Sequence, residues 1–185
     1  KEREMKRKDI LSYLLTLYIL IVSALLFITT TSKAERYVYI LNWSLYDSSM
    51  HIDIRNKNSQ YYSYIKAGMG TWNRYKSGVL KEVTRYTISD CVISDIDENS
   101  STCAITNASG TIKFNKLQMK LIHDELVKYN IATHELGHAL GLDHVPQSND
   151  LMYWQANRTT SISLRNEESY DAAYRKAENK YFGGK

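Results

Sequence analysis

One stretch of the chain has residue types and spacing that can do chemistry: His134-Glu135-Leu136-Gly137-His138-Ala139-Leu140-Gly141-Leu142-Asp143-His144. Three of the five histidines in the chain fall within it. On a helix, residues four apart share a face, so His134 and His138 can aim their imidazoles at one point. Neutral imidazole suits zinc, a borderline-soft cation that takes nitrogen ligands. Glu135 is next to the first histidine and projects sideways, where it reaches a water on the metal rather than the metal itself. Gly141 lets the chain leave the helix at positive φ, and the turn brings His144 round as a third ligand. Three protein nitrogens leave a fourth position for water, the arrangement of a catalytic zinc. A structural zinc fills all four positions and needs no base.

With those residues in place, the sequence resembles the metzincin clan of zinc endopeptidases, whose motif is His-Glu-x-x-His-x-x-Gly-x-x-His followed by a methionine turn. Leu151-Met152-Tyr153 follows His144, and a methionine then a tyrosine at that offset looks like the matrixin branch. Upstream, Ala67, the Trp72-Asn73 pair and Gly110 to Asn115 sit where bacterial matrixin-like domains carry similar residues. The resemblance implies that His134, His138 and His144 bind one catalytic zinc, that Glu135 is the general base, and that Met152 forms an apolar floor beneath the metal. It implies a polypeptide substrate, paired with a sheet edge among the short strands of 103–114. The chain departs from the family in two places. Trp154 stands where matrixins usually carry proline, which leaves the preference of the S1′ wall open. Tyr153 lies one residue after Met152, which argues against a tyrosine ligand.

The elements that must position these groups follow from periodicity. Arg36 to Leu41 is β-branched and aromatic and reads as a strand, as does the alternating Met50 to Ile54. From Ser59 to Lys76 the period changes: Tyr61, Ile65, Met69 and Trp72 fall three or four apart, as on the buried face of a helix. Val79 to Ile88 returns to strand character. Ser89 to Thr102 is polar and reads as a loop, followed by two short strands at 103–106 and 111–114. A helix covers 131–140 and extends some residues earlier. Asn166 is the expected cap of a last helix, with Tyr170, Ala173, Tyr174, Ala177 and Tyr181 on one face and Gly183-Gly184 as its stop. The order predicts an α+β protein of metzincin (zincin-like) fold: a twisted mixed sheet, the catalytic helix and a small C-terminal subdomain.

Composition narrows the function classes. The 185 residues are 43% hydrophobic and 24% charged, with two cysteines, which excludes a disordered tail and a disulfide-stapled miniature. The net charge of +4 suggests an acidic partner until it is located. Residues 1–34 carry six basic and three acidic side chains, leaving 18 and 17 for residues 35–185. The folded part is thus near neutral, and nucleic acid is not an expected partner. A basic stretch, Met5-Lys6-Arg7-Lys8, precedes an apolar run at 10–28 and a small-residue exit with Ser32 and Ala34. This reads as a signal peptide cleaved after Ala34, or a signal-anchor, the run being about 28 Å long as a helix. Met5 reads as the initiator. Either outcome places 35–185 outside the cytoplasm, secreted or anchored to the outer face of the membrane, and no cysteine between Ala34 and the first strand could hold a zinc latent.

Weaker features remain. Asp90, Asp95, Asp97 and Glu98 could gather a calcium, although the regular spacing of a calcium loop is missing and a solvated acidic loop is the blander reading. His51 and Asp53 could join a second metal site, but with His123 they read as surface residues. Cys91 and Cys103 flank the polar loop and, in an exported protein, are expected as a disulfide over free thiols. The expectation is a monomeric exported zinc endopeptidase. The alternatives are a non-catalytic, membrane-tethered binding module braced by zinc and a zinc hydrolase of a non-protein substrate.

Overall fold

The computed structural model describes residues 17–18, 37–84 and 87–183. The expected signal or anchor over 1–34 lies outside them, save Leu17 and Tyr18, which are helical. Among the described residues no helix is long and apolar enough to cross a membrane. The unit that begins at Val38 carries everything considered below.

Period-two burial builds the sheet. Strands β1 (Ile52–Asn56), β2 (Leu80–Glu82), β3 (Cys91–Ile96), β4 (Ala104–Asn107) and β5 (Thr111–Asn115) associate in the order β2-β1-β3-β5-β4. All pairs are parallel except β4 with β5, so the sheet is mixed and β4 is an edge. Ile52, Ile54, Cys91, Ile93, Ile112 and Phe114 point inward and are fully buried. They meet helix α1 (Tyr62–Tyr75), which buries Ile65, Met69 and Trp72 as its spacing predicted. Behind α1 lies helix α3 (Glu125–Ala139), capped by the Asp124 carboxylate, which accepts from the Leu126 N–H at 2.9 Å. The two helices approach closely at Gly68, where a Cβ would lie 3.0 Å from both Leu136 Cδ1 and Thr133 Oγ1. A short helix α2 (Lys116–Met119) links β5 to α3, and helix α4 (Leu164–Phe182) ends the chain. The α+β class and the mixed sheet, with a helix that carries His134 and His138, are therefore as expected.

Several local expectations are corrected. The largest concerns 89–102, read as a loop but containing β3 at the centre of the sheet. Its polar residues are satisfied in place: Asp95 accepts from the Ser59 hydroxyl at 2.5 Å and the Gln60 N–H at 3.0 Å. Of the strand expected at 36–41, the described residues 37–41 form only one bridge, between Ile40 and Leu142. The strand expected at 50–54 starts at Ile52, because Met50 has φ of 59°, which no strand accommodates. Among the described residues of the strand expected at 79–88, only Leu80–Glu82 forms one. The cap of α4 is Ser163, not Asn166: the Ser163 hydroxyl accepts from the Asn166 N–H, and the Asn166 side chain accepts from the Ser163 N–H, both at 3.2 Å.

The disulfide does not form, and both cysteines are free. Strand β5 lies between the two segments. Cys91 sits beside its start and Cys103 beside its end, as the registers of Val92 with Thr111 and Ala104 with Phe114 require. Two strand spacings alone separate them by about 10 Å, beyond the roughly 7 Å that a disulfide spans between Cα atoms. The carboxylates do not gather for calcium either. Asp90 accepts from the Asp53 N–H at 2.8 Å, Asp95 is occupied as above, and Asp97 pairs with Lys116 at 2.6 Å. We predict that thiol titration of the unreduced, denatured protein counts two thiols. In the native protein Cys91, whose thiol burial pushes up to about 12, reacts far more slowly than Cys103. Detection of a Cys91–Cys103 bridge by non-reducing mass spectrometry would contradict the register of β3, β5 and β4.

Candidate active site

The last turns of α3 carry His134, Glu135 and His138, and the exit from the helix decides where His144 goes. Gly141 has φ of +94°, its N–H donates to the His138 carbonyl, and the Leu142 N–H donates to the Gly137 carbonyl, both at 2.9 Å. This is a Schellman end, and it reverses the chain within two residues. A side chain at 141 would also be crowded, with Ser44 Cβ at 3.1 Å and Ala173 Cβ at 3.2 Å from its Cβ. The segment before β1 braces the turn. Leu41 N–H donates to the Gly141 carbonyl at 2.8 Å, Leu45 N–H to that of Ala139 at 2.9 Å, and Asp143 N–H to that of Tyr39 at 2.9 Å.

The three histidines converge as the spacing predicted. His144 Nε2 lies 3.1 Å from His138 Nε2 and 3.2 Å from His134 Nε2. Their other ring nitrogens reveal the tautomers. His134 Nδ1 faces the Leu151 carbonyl and His138 Nδ1 the Leu142 carbonyl, each at 2.9 Å. A carbonyl only accepts, so both Nδ1 atoms carry hydrogen and both Nε2 atoms present bare lone pairs. At most one hydrogen, on His144, is left for the contacts between rings. A tetrahedral cation with bonds of about 2.0–2.1 Å needs nitrogens about 3.3 Å apart, so the three histidines are positioned to bind a zinc ion. Burial, with the neighbouring His138, pushes the His134 pKa down to about 3; burial also lowers His138 and His144. All three are thus held in the neutral form that a metal requires.

Glu135 is 6% exposed and points to the same cleft. Burial raises its carboxyl to about 7, against the lowering effect of the Thr106 hydroxyl and His144. Met152 lies beneath the helix: a Cβ on Gly137 would fall 2.4 Å from its sulfur and 3.2 Å from Trp72 Cζ2. Only a glycine lets the thioether seat directly under the segment between the two helical histidines. Met152 is held there by Asp150, whose buried carboxylate accepts from the Met152 N–H at 2.9 Å, Ser163 Oγ at 2.7 Å and Asn166 Nδ2 at 2.8 Å. Two cavities flank the histidines. One of about 530 Å³ is lined by Cys103, Asn130, Ile131, Tyr153 and Trp154 beside His134 and Glu135. One of about 330 Å³ is lined by Leu41, Trp43, Thr106, Asp143 and Trp154 beside all three histidines.

The structure leaves the other candidates elsewhere. His51 pairs with Asp53 at 3.2 Å, and among the described residues the only metal-competent cluster is His134, His138 and His144. Sequence reading missed Thr106, whose hydroxyl donates to Glu135, and the carbonyls of Leu142 and Leu151, since backbone acceptors carry no sequence signal.

Three convergent neutral imidazoles beside a buried carboxylate, on a helix ending in a glycine turn, define a site of the zinc metallopeptidase kind. A family model described as matrixin matches residues 97–173, from just after β3 into α4, and over that span the chain is similar to matrixins. No curated protein matches the chain. Among solved structures, the crystal structure of archaemetzincin from Methanopyrus kandleri is similar in outline: 14% identical, with a TM-score of 0.49, covering 68% of this chain and 97% of that one.

The buried carboxylate yields a prediction for the metal-free protein. An unfolded glutamate protonates near 4.5 but Glu135 near 7, so between these values the folded chain binds more protons. The stability this contributes is present below about 4.5 and is lost as pH rises through about 7. Glu135→Gln removes that loss. Its melting temperature relative to wild type should therefore climb between pH 5 and pH 8, by up to about 3 kcal/mol in stability. A difference that stays flat with pH would show that Glu135 is not held protonated by burial.

Proposed function

We propose that the chain is an exported, matrixin-like zinc endopeptidase acting on polypeptides. The observation that carries this reading is the pairing of an open three-histidine site with an adjacent carboxylate that is no ligand. In it, His134, His138 and His144 hold the zinc, Glu135 is the general base and Met152 is the floor. A zinc ion bound there supplies Lewis acidity, which lowers the pKa of water from about 16 to about 7 and polarises a carbonyl.

The chain's own residues do the rest. Glu135 accepts the proton of the attacking water and returns it to the amine that leaves, so the peptide bond breaks with no covalent enzyme intermediate. Edge strand β4 offers the substrate backbone its partners. Asn115 N–H donates to the Cys103 carbonyl at 2.8 Å, so Cys103, Ile105 and Asn107 face β5, while the N–H and C=O of Ala104 and Thr106 face outward. An extended peptide laid there adds a sixth strand beside Glu135. Trp154, 61% exposed and shared by both cavities, stands where side-chain preference would be set. Residues 1–34 would export the domain as a cleaved signal or an uncleaved anchor.

The test is casein or a peptide library incubated with residues 35–185, with and without chelator, beside Glu135→Ala, with culture fractions assayed in parallel. We expect zinc-dependent cleavage in the medium or on the outer membrane face, restored by zinc after chelation and lowered about 10²–10⁴-fold in Glu135→Ala. Cleavage that survives both treatments would refute the zinc mechanism. One equivalent of bound zinc with no cleavage of any peptide would favour a zinc-braced binding module.

A further inference from the structure

The side chain of Thr106 has no place in the reading above, yet its contacts single it out. It lies on β4 with its side chain turned toward α3, where Thr106 Oγ1 donates to Glu135 Oε2 at 2.5 Å. The same oxygen is 3.0 Å from the Glu135 backbone carbonyl, an acceptor that already sits inside the helical ladder. A hydroxyl has one hydrogen to give, and the carboxylate is the nearer and stronger acceptor. Among the described residues, no other side chain hydrogen-bonds the Glu135 carboxylate.

We propose that Thr106 is a positioning residue for the Glu135 carboxylate, fixing one oxygen by its hydroxyl and leaving the other free for the reacting water. This rests on the endopeptidase reading and deepens it. A glutamate has three rotatable side-chain bonds, and its value as a base depends on holding one geometry at the moment of proton transfer. The contact does a second thing. The backbone N–H and C=O of Thr106 face the open edge of β4, so the residue that indexes an incoming strand also anchors the base. The register of the scissile bond and the position of the carboxylate would thereby both be referred to one residue.

The experiment compares zinc-loaded wild type with Thr106→Val, which keeps the shape and removes the hydroxyl, and Thr106→Ser, which keeps the hydroxyl. Thr106→Ala guards against a fold defect from the buried methyl of valine. Turnover and KM are measured separately on a quenched fluorescent peptide, with zinc content and melting temperature alongside. We expect Thr106→Val and Thr106→Ala to retain one zinc and a KM within about twofold, while kcat falls about 10- to 100-fold, and Thr106→Ser to recover to within a few-fold of wild type. An unchanged kcat in both hydroxyl-free variants overturns the proposal, as does a serine variant as impaired as valine. A loss confined to KM or to zinc content would make Thr106 a structural or docking residue only. If wild type cleaves and Glu135→Ala does not, these failures belong to Thr106 alone. A wild type that cleaves nothing sinks the endopeptidase reading and this one with it.

Discussion

The structure depends on one constraint: three imidazole Nε2 atoms turned toward a common point, those of His134 and His138 with bare lone pairs. Such an arrangement is unfavourable in isolation, because bare acceptors oppose one another and the two helical rings are largely removed from water. It is enforced from behind by the carbonyls of Leu142 and Leu151, which hold the hydrogens of His138 and His134 on Nδ1. Both carbonyls belong to segments after the helix, so the ligand geometry is not a property of α3 alone. It requires the Schellman turn at Gly141, the methionine turn and the braces from residues 39–45 at once.

The same reasoning explains why the floor is built as it is. Met152 must approach Gly137 within van der Waals contact, and its position follows from the buried Asp150. A carboxylate that is 3% exposed would be costly unless its lone pairs were filled, and Met152, Ser163 and Asn166 fill them. Those donors come from the turn and from the first residues of α4. The last helix is therefore tied to the Met152 turn by hydrogen bonds to Asp150, and through Tyr170, stacked 6.0 Å from Trp72, to α1 as well. The small C-terminal subdomain expected from the sequence is thus bonded to the site at atomic contact.

The site was legible because its chemistry needs side chains at helical spacing, and spacing survives in a sequence. His134 and His138 could be placed from it, and His144 from the glycine turn that follows, whose positive φ the role of Gly141 implied; Met152 came only from the resemblance to the metzincin methionine turn. The centre of the sheet was not legible. Strand β3 carries Ser94 and Asp95 among its apolar residues, and composition reads such a stretch as solvated. Only the structure shows Ser59 and Gln60 supplying Asp95 with partners. The cysteines misled for a related reason: adjacency in sequence around a loop says nothing once that segment becomes a strand with β5 inserted between. Thr106 was visible as one residue of a short strand, but its partner lies on a helix 29 positions away, a separation no local pattern encodes.

The two sheet edges differ in a way that bears on function. An exposed edge invites unwanted pairing unless it is short, charged or covered. Strand β2 is protected on all three counts: it has three residues, Lys81 and Glu82 are exposed, and the Asn73 amide covers Leu80 like a neighbouring strand. That amide accepts from the Leu80 N–H at 3.0 Å and donates to its carbonyl at 2.8 Å. Strand β4 has no charged residue and, among the described residues, no such cover, and Ile105 is 49% exposed on it. An unprotected edge on a stable domain persists only where it is useful or too short to harm. With four residues it is short enough to avoid aggregation, and it borders the cleft holding Glu135 and the histidines. The protected edge lies at the far side of the sheet and the unprotected one beside Glu135, an asymmetry that the proposed addition of a substrate strand would use.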